Sequence, residues 1–356
     1  MVSEVFERFI QNRPVAVMVR VLLESFLNAD QLDRWFDTVR QVQYTKNILF
    51  SSIVGLMLHV VCNIRPSVHS AYRHAEMEAS VVALYGKLQN LEPTTSQGLV
   101  RYIAGEAEAL IHQIGGTNPP LLPGYRVKFL EGNGIEATEH RLEVLRGTTA
   151  GALPGKALVV FDPQLGIAID VFPCEDGHAQ ERSLLSAVAD TIQAQDVWIM
   201  DRNFCVLEWL FRIRQKSAFF VVRQHGKTPY KPLTPLKFVG KSETGEVFEQ
   251  WVRITAPTGE KFKVRRVVVE LKNPTRNGDQ HLILLTNLSR KKVDALTVTE
   301  LYRARWGIET AFQKLESHLN SEINTLGYPK AALFSFCLAL VAFNVSYLLI
   351  FINLQY

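Results

Sequence analysis

The spacing of apolar residues changes character twice along this chain, and that change limits its fold more than any single motif does. From residue 1 to about 115 the apolar positions recur at helical intervals, through Ser3 to Ile10, Val15 to Leu27, Asp30 to Val42, Ile48 to Ile64 and Ser67 to Leu88. Turn-forming Asn118-Pro119-Pro120 and Pro123-Gly124 break the pattern. Short strand-type runs follow: Arg126 to Leu130, Ala157 to Phe161 and Gly166 to Phe172, then a helical Gln180 to Ala194, a strand Val197 to Met200, a helical Phe204 to Ile213 and a strand Phe219 to Val222. That order predicts an α/β core, a mixed sheet with flanking helices. From about 224 to 295 the runs Val247 to Ile254, Val264 to Leu271 and His281 to Leu285 alternate with hairpin-type turns, a β-rich insertion. The helical period returns at about Val298.

With 356 residues and 47% hydrophobic composition, the chain can bury one large core or two to three smaller ones, and it is too apolar for disorder. The net charge of +4 is unevenly spread. Residues 201–241 carry +7 and residues 259–292 carry +6, leaving −9 for the remainder. A concentrated positive field suits a polyanion-binding surface, while solvated strand faces are the alternative reading of any single cluster. Cys62, Cys174, Cys205 and Cys337 form no Cys-x2-Cys pair, which argues against a zinc site and a disulfide framework and fits a reducing compartment. The acid-bearing N-terminus does not read as a secretory signal. Ala331 to Leu354 is long and apolar enough to cross a bilayer. Its Ser335, Asn344 and Ser346, and the absence of flanking cation clusters, favour a buried core helix over a membrane span.

Three acids stand where chemistry could use them. Glu131 closes the first strand-type run, with Gly132 after it giving the chain room to turn away. Asp201 sits at the tip of another run, where a helix N-cap is the bland alternative. Glu309 lies in Tyr302-x2-Arg305-x3-Glu309, whose spacing puts the three side chains on one helix face; a solvent-facing acid and ordinary packing of Tyr302 are the plain readings. His178 and Glu181 are three apart, but a turn leading into an acidic helix start explains them better than a metal does. Gly147 to Gly155 lacks a P-loop ending, so no nucleotide cofactor is expected. Trp251 and Trp306 could stack on a displaced base, although core or scaffold roles are the simpler expectation.

The segments Leu130-Glu131-Gly132-Asn133, Met200-Asp201-Arg202-Asn203-Phe204 and Tyr302-x2-Arg305-x3-Glu309 resemble, in order, the motifs of DDE transposases from bacterial insertion sequences, in the branch with the signature Tyr-x2-Arg-x3-Glu-x6-Lys. Two positions depart from it: the first acid is Glu131 where the family has Asp, and Glu316 stands where the family has Lys. The resemblance implies a ribonuclease H-like fold interrupted by a β-rich insertion. It divides the chain into a helical DNA-binding segment (1–120), a first part of the catalytic core (121–223), the insertion (224–297) and a second part carrying the third acid and the apolar helix (298–356). It further implies that Glu131, Asp201 and Glu309 hold two Mg²⁺ ions, for which Mn²⁺ can substitute, and that Tyr302, Arg305, Arg202 and Arg223 contact DNA. Its implied partners are double-stranded DNA at terminal inverted repeats and target sites, and a second copy on paired ends. Its implied setting is the bacterial cytoplasm, with no membrane. An inactive relative that only binds transposon ends is the alternative.

Overall fold

The computed structural model describes residues 21, 24–43, 48–75, 77–135, 155–177, 179–275, 278–323 and 326–354. The helix expected at 3–10, most of the one expected at 15–27, most of the Gly-rich 147–155 stretch, His178 and the side chain of Glu316 lie outside the described residues.

Among the described residues, the elements ahead of the sheet are the helices α1 (Ala29–Val39), α2 (Phe50–Val61), α3 (Val68–His74), α4 (Val81–Gln89) and α5 (Pro93–Gln113). The expected single helix over 67–88 is two, because Ser80 turns the chain into extended backbone and caps α4 by accepting from the Ala83 amide. Phe36 of α1 stacks on Phe50 of α2 at 4.5 Å between centroids, and Phe50 meets Phe334 at 6.1 Å. Phe334 belongs to α10 (Pro329–Leu354), so helices from both ends of the chain share one apolar core, which continues onto the sheet through Val159 and Val171. Because α10 is apolar all round, it must be buried on every side, and 83% of its most apolar window is buried in protein. Its buried Asn344 side chain accepts from the Ala168 amide (2.9 Å) and donates to the Ala168 carbonyl (2.8 Å), which clips the helix to the sheet.

Among the described residues the sheet has ten strands: β1 (Arg126–Gly134), β2 (Lys156–Asp162), β3 (Ile167–Cys174), β4 (Asp196–Met200), β5 (Phe219–Arg223), β6 (Lys231–Pro232), β7 (Lys237–Lys241), β8 (Gly245–Thr255), β9 (Lys261–Leu271) and β10 (His281–Thr286). Their order is β3-β2-β1-β4-β5-β10-β9-β8-β6, with β7 also on β8. β1 runs antiparallel to β2 and parallel to β4, and β4 is parallel to β5, which is the mixed arrangement expected of the α/β core. The β-rich stretch does not form a sheet of its own. β10 pairs antiparallel with β5, so β6 to β10 prolong the same sheet.

Side chains alternate between the two faces. On one face, Leu130, Trp198, Met200 and Phe220 pack under α6 (Leu185–Ala189) and α7 (Leu207–Gln215). On the other, Phe129, Ile199, Val221 and Val267 pack under α8 (Ala295–Ala304) and the start of α9 (Trp306–His318). At the N-terminal ends of β1 and β4, Lys128 donates to Asp196 at 2.7 Å in a buried ion pair.

Candidate active site

Glu131 is not at a strand end as the sequence suggested. β1 continues to Gly134, and Glu131 sits within it opposite Val159 of β2. Gly132 does not end the strand and serves a different purpose: a Cβ there would collide with the carboxylate of Glu181, which approaches from the opposite face to Glu131. Leu130 lies beside Met200 in the parallel β1–β4 pair, so the next residue along each strand is an acid, Glu131 on one and Asp201 on the other.

Asp201 occupies the N-cap position of the short 3₁₀ turn Arg202–Phe204, yet its side chain makes no capping bond. It accepts instead from the Tyr302 hydroxyl at 3.3 Å. Tyr302, in α8, is 4% exposed within the core under the sheet, so its ring packs while its hydroxyl reaches an acid. Burial, with Asp201 beside it, pushes that hydroxyl well above the usual tyrosine range and keeps it a donor.

The Tyr-Arg-Glu motif spans a joint and not one continuous helix. α8 ends at Ala304 and α9 starts at Trp306; at Arg305 the bonds tighten to the three-residue type, Arg305 to the Tyr302 carbonyl and Ile308 to the Arg305 carbonyl. Backbone angles at the joint stay helical, so the i,i+4 reach survives and Arg305 Nη2 donates to Glu309 Oε1 at 2.6 Å. Arg305 Nη1 donates to Glu131 Oε2, so one guanidinium bridges two of the three acids. The Arg305 side chain is 6% exposed, against 19% for Glu131 and 47% for Glu309.

The electrostatics follow from that crowding. Burial pushes the Glu131 carboxyl up to about 7; Arg305 pulls it back down, while Asp201 and Glu309 push it further up. For Arg305 burial favours proton loss, but Glu131, then Tyr302, Glu309 and Asp201, outweigh it and hold the guanidinium charged above its ordinary range. The structure thus gathers Glu131, Asp201, Glu309, Tyr302 and Arg305 from β1, the end of β4 and the α8–α9 joint.

Arg202 and Arg223 stand beside this group under a restraint absent from the sequence reading. Asp279, in the turn before β10, holds Arg223 Nη2 at 2.6 Å and lies 4.0 Å from Arg202 Nη1. Its sequence signal was only that of a turn acid. Trp306 is 55% exposed at the joint and Trp251 is half-buried, so neither is a core residue.

Three carboxylates around one cation are the hard oxygen donors that a divalent ion of the magnesium type prefers, and the buried, charge-crowded Glu131 marks a cluster in need of positive charge. By donor chemistry the residues fit such an ion. Among the described residues, no group of three or more His, Cys, Asp or Glu side chains is arranged to hold a metal, and it is Arg305 that bridges Glu131 to Glu309. An ion shared by the three acids therefore requires Arg305 to turn from at least one of them.

A Sinorhizobium fredii (strain NBRC 101917 / NGR234) protein described as a transposase, y4zB, is 26% identical over 170 residues, 46% of this chain and 44% of that one, so the chain matches less than half the length of this relative. Residues 124–345, which run from the turn before β1 into α10, match the family model of the transposase DDE domain, and since they make up more than half of the chain it belongs to that family.

Proposed function

We propose that this protein is the transposase of a bacterial insertion sequence, cutting DNA at the terminal inverted repeats of its element and joining the freed ends to a target. The observation that carries the reading is the meeting of Glu131, Asp201 and Glu309, from three separated segments, around Arg305. In this reading the three acids hold the divalent metal, Mg²⁺ with Mn²⁺ as substitute and two ions in all. When bound, the metal supplies a Lewis acid for the attacking and leaving oxygens of phosphate.

The chain's own residues do the rest. Tyr302 orients the Asp201 carboxylate through its hydroxyl. Arg305, released from Glu131, offers a planar fork suited to a phosphate. Arg202 and Arg223 hold the backbone on the Asp201 side, the helical segment within 1–120 engages the transposon end, and two copies act on paired ends. Burial of Glu131 and Arg305 excludes water from the inner edge of the site. The activity belongs in the bacterial cytoplasm, where the DNA is.

A second reading has its own support: Glu131 is one methylene longer than the family's Asp, and Glu316 replaces a Lys. In class-wide terms a misplacement of about 1 Å can cost about 100-fold in rate, so an inactive end-binding relative is a real competitor. The deciding experiment incubates the full chain with a duplex carrying the element's terminal repeat and Mg²⁺. Nicking at the repeat boundary by the native chain supports the enzyme. Nicking seen only after Glu131→Asp supports the binding-only relative.

A further inference from the structure

The charge concentrated in 201–241 and 259–292 is only partly spent near the acids; much of it gathers at the far end of the β-rich stretch. Lys231 of β6 pairs in register with Arg253 of β8, and Arg253 with Lys263 of β9. Three cations therefore stand side by side across three strands, a row about 10 Å long at the usual strand spacing. Lys261, two residues from Lys263, points to the same face, as does Trp251, whose ring centroid lies 4.5 Å from Lys263 Nζ. One step further along β9, fully buried Arg265 donates to the carbonyls of Leu288 (3.1 Å) and Val293 (2.8 Å). That pins the intervening loop, which carries exposed Lys291 and Lys292, to Arg265, two residues along β9 from Lys263.

None of these six cations has a carboxylate partner among the described residues. The acids closest in the chain are engaged: buried Glu249 with Arg265 and Arg290, and Glu260 with Arg214. Like charges directly opposite each other on neighbouring strands are destabilising, and a merely solvated face would mix signs. The register also fixes the direction in which the row faces. Arg223 pairs with Leu284, Leu284 with Val267 and Val267 with Glu249, and Lys263 and Arg253 are each four residues along from that line. The cations are thus on the face of the sheet that carries Glu131 and Arg223, about 16 to 23 Å from Arg223 by strand spacing and rise.

We infer that this array is a second docking surface, for the phosphate backbone of duplex DNA, which grips the duplex at a distance from the acids. The inference rests on the DNA-processing reading above. Long cationic stems facing solvent read charge and not base edges, so the grip is independent of sequence.

The test is duplex binding by the full chain and by a Lys231→Gln/Arg253→Gln/Lys263→Gln variant, followed by fluorescence anisotropy from about 50 to about 200 mM salt. Two duplexes of unrelated sequence are used. The variant should lose at least about tenfold in affinity at low salt on both, and the slope of log K against log salt should shrink by about 2 to 3, near 0.9 per phosphate contact released. Its thermal midpoint at low salt should equal or exceed that of the native chain, because like charges were removed; a purely structural row would lower it. If the triple variant does not fold, Lys291→Gln/Lys292→Gln on the exposed loop must still reduce the slope by about 1 to 2. Unchanged affinity and slope in a folded variant, with the native chain binding DNA, overturn the array alone. A native chain that binds no duplex at any salt overturns the array and the DNA-processing reading together.

Discussion

Two groups of cations lie on one face of one sheet and are treated oppositely. Near the acids Arg305 is answered by Glu131 and Glu309, and Arg223 and Arg202 by Asp279. At the far end of the β-rich stretch, Lys231, Arg253 and Lys263 stand in register with no carboxylate partner among the described residues. The difference follows from burial. Burying a guanidinium to 6% exposure is costly without an acid beside it, whereas an exposed cation is solvated and free to bind something else. The paired cations therefore set the geometry of a site, and the unpaired ones offer affinity.

The largest effect should come from breaking the paired group. Arg305→Ala removes the bridge between Glu131 and Glu309 and leaves crowded acids without their cation; it should cost about 3 to 5 kcal/mol of metal-free stability in chemical denaturation. A loss below about 1 kcal/mol would mean that the bridge does not hold the site together.

Next comes pH. Glu131 is raised from 4.5 to about 7, so its protonated form stabilises the fold, a contribution fully present below about pH 4.5 and lost as pH rises through about 7. At about 1.4 kcal/mol per unit, metal-free native protein should lose up to about 3 kcal/mol relative to Glu131→Gln across that window. Parallel stability curves for the two proteins would contradict the burial argument.

A smaller effect separates the two groups directly. Asp279→Asn frees Arg223 and Arg202, converting paired cations into the unpaired kind. Duplex affinity at low salt should rise about two- to fivefold, under about 1 kcal/mol because the pair is part-exposed, with a steeper salt dependence. The smallest is Lys263→Gln in the array, which should raise low-salt stability by no more than about 0.5 kcal/mol and should show no gain at high salt, where the repulsion is screened.

The sequence carried the acids better than it carried their surroundings. Asp201 was legible as a strand-tip acid because Val197 to Met200 is a short apolar run ended by a polar turn, and the structure removes the N-cap alternative by turning the side chain to Tyr302. Glu131 was legible as an acid of interest but not as a mid-strand residue, since Gly132 looks like a stop signal until Glu181 is seen filling the space a Cβ would take. Spacing foretold the Arg305–Glu309 contact, a local i,i+4 effect. It could not foretell the contact of Arg305 with Glu131, or of Asp279 with Arg223, because those join segments brought together only by strand order. The same holds for β10 beside β5: periodicity identifies strands and does not say which strand each one meets.

The central claim is that Glu131, Asp201 and Glu309 act as one cleavage site, and single-turnover nicking of a terminal-repeat duplex in Mg²⁺ tests it most directly. Glu131→Gln, Asp201→Asn and Glu309→Gln should each lower the rate by at least about 1,000-fold, and together by little more than singly, because groups that act as a unit are not additive. Duplex affinity should stay within about threefold, since the docking cations are untouched. Native-rate nicking by any one of the three variants would contradict the account.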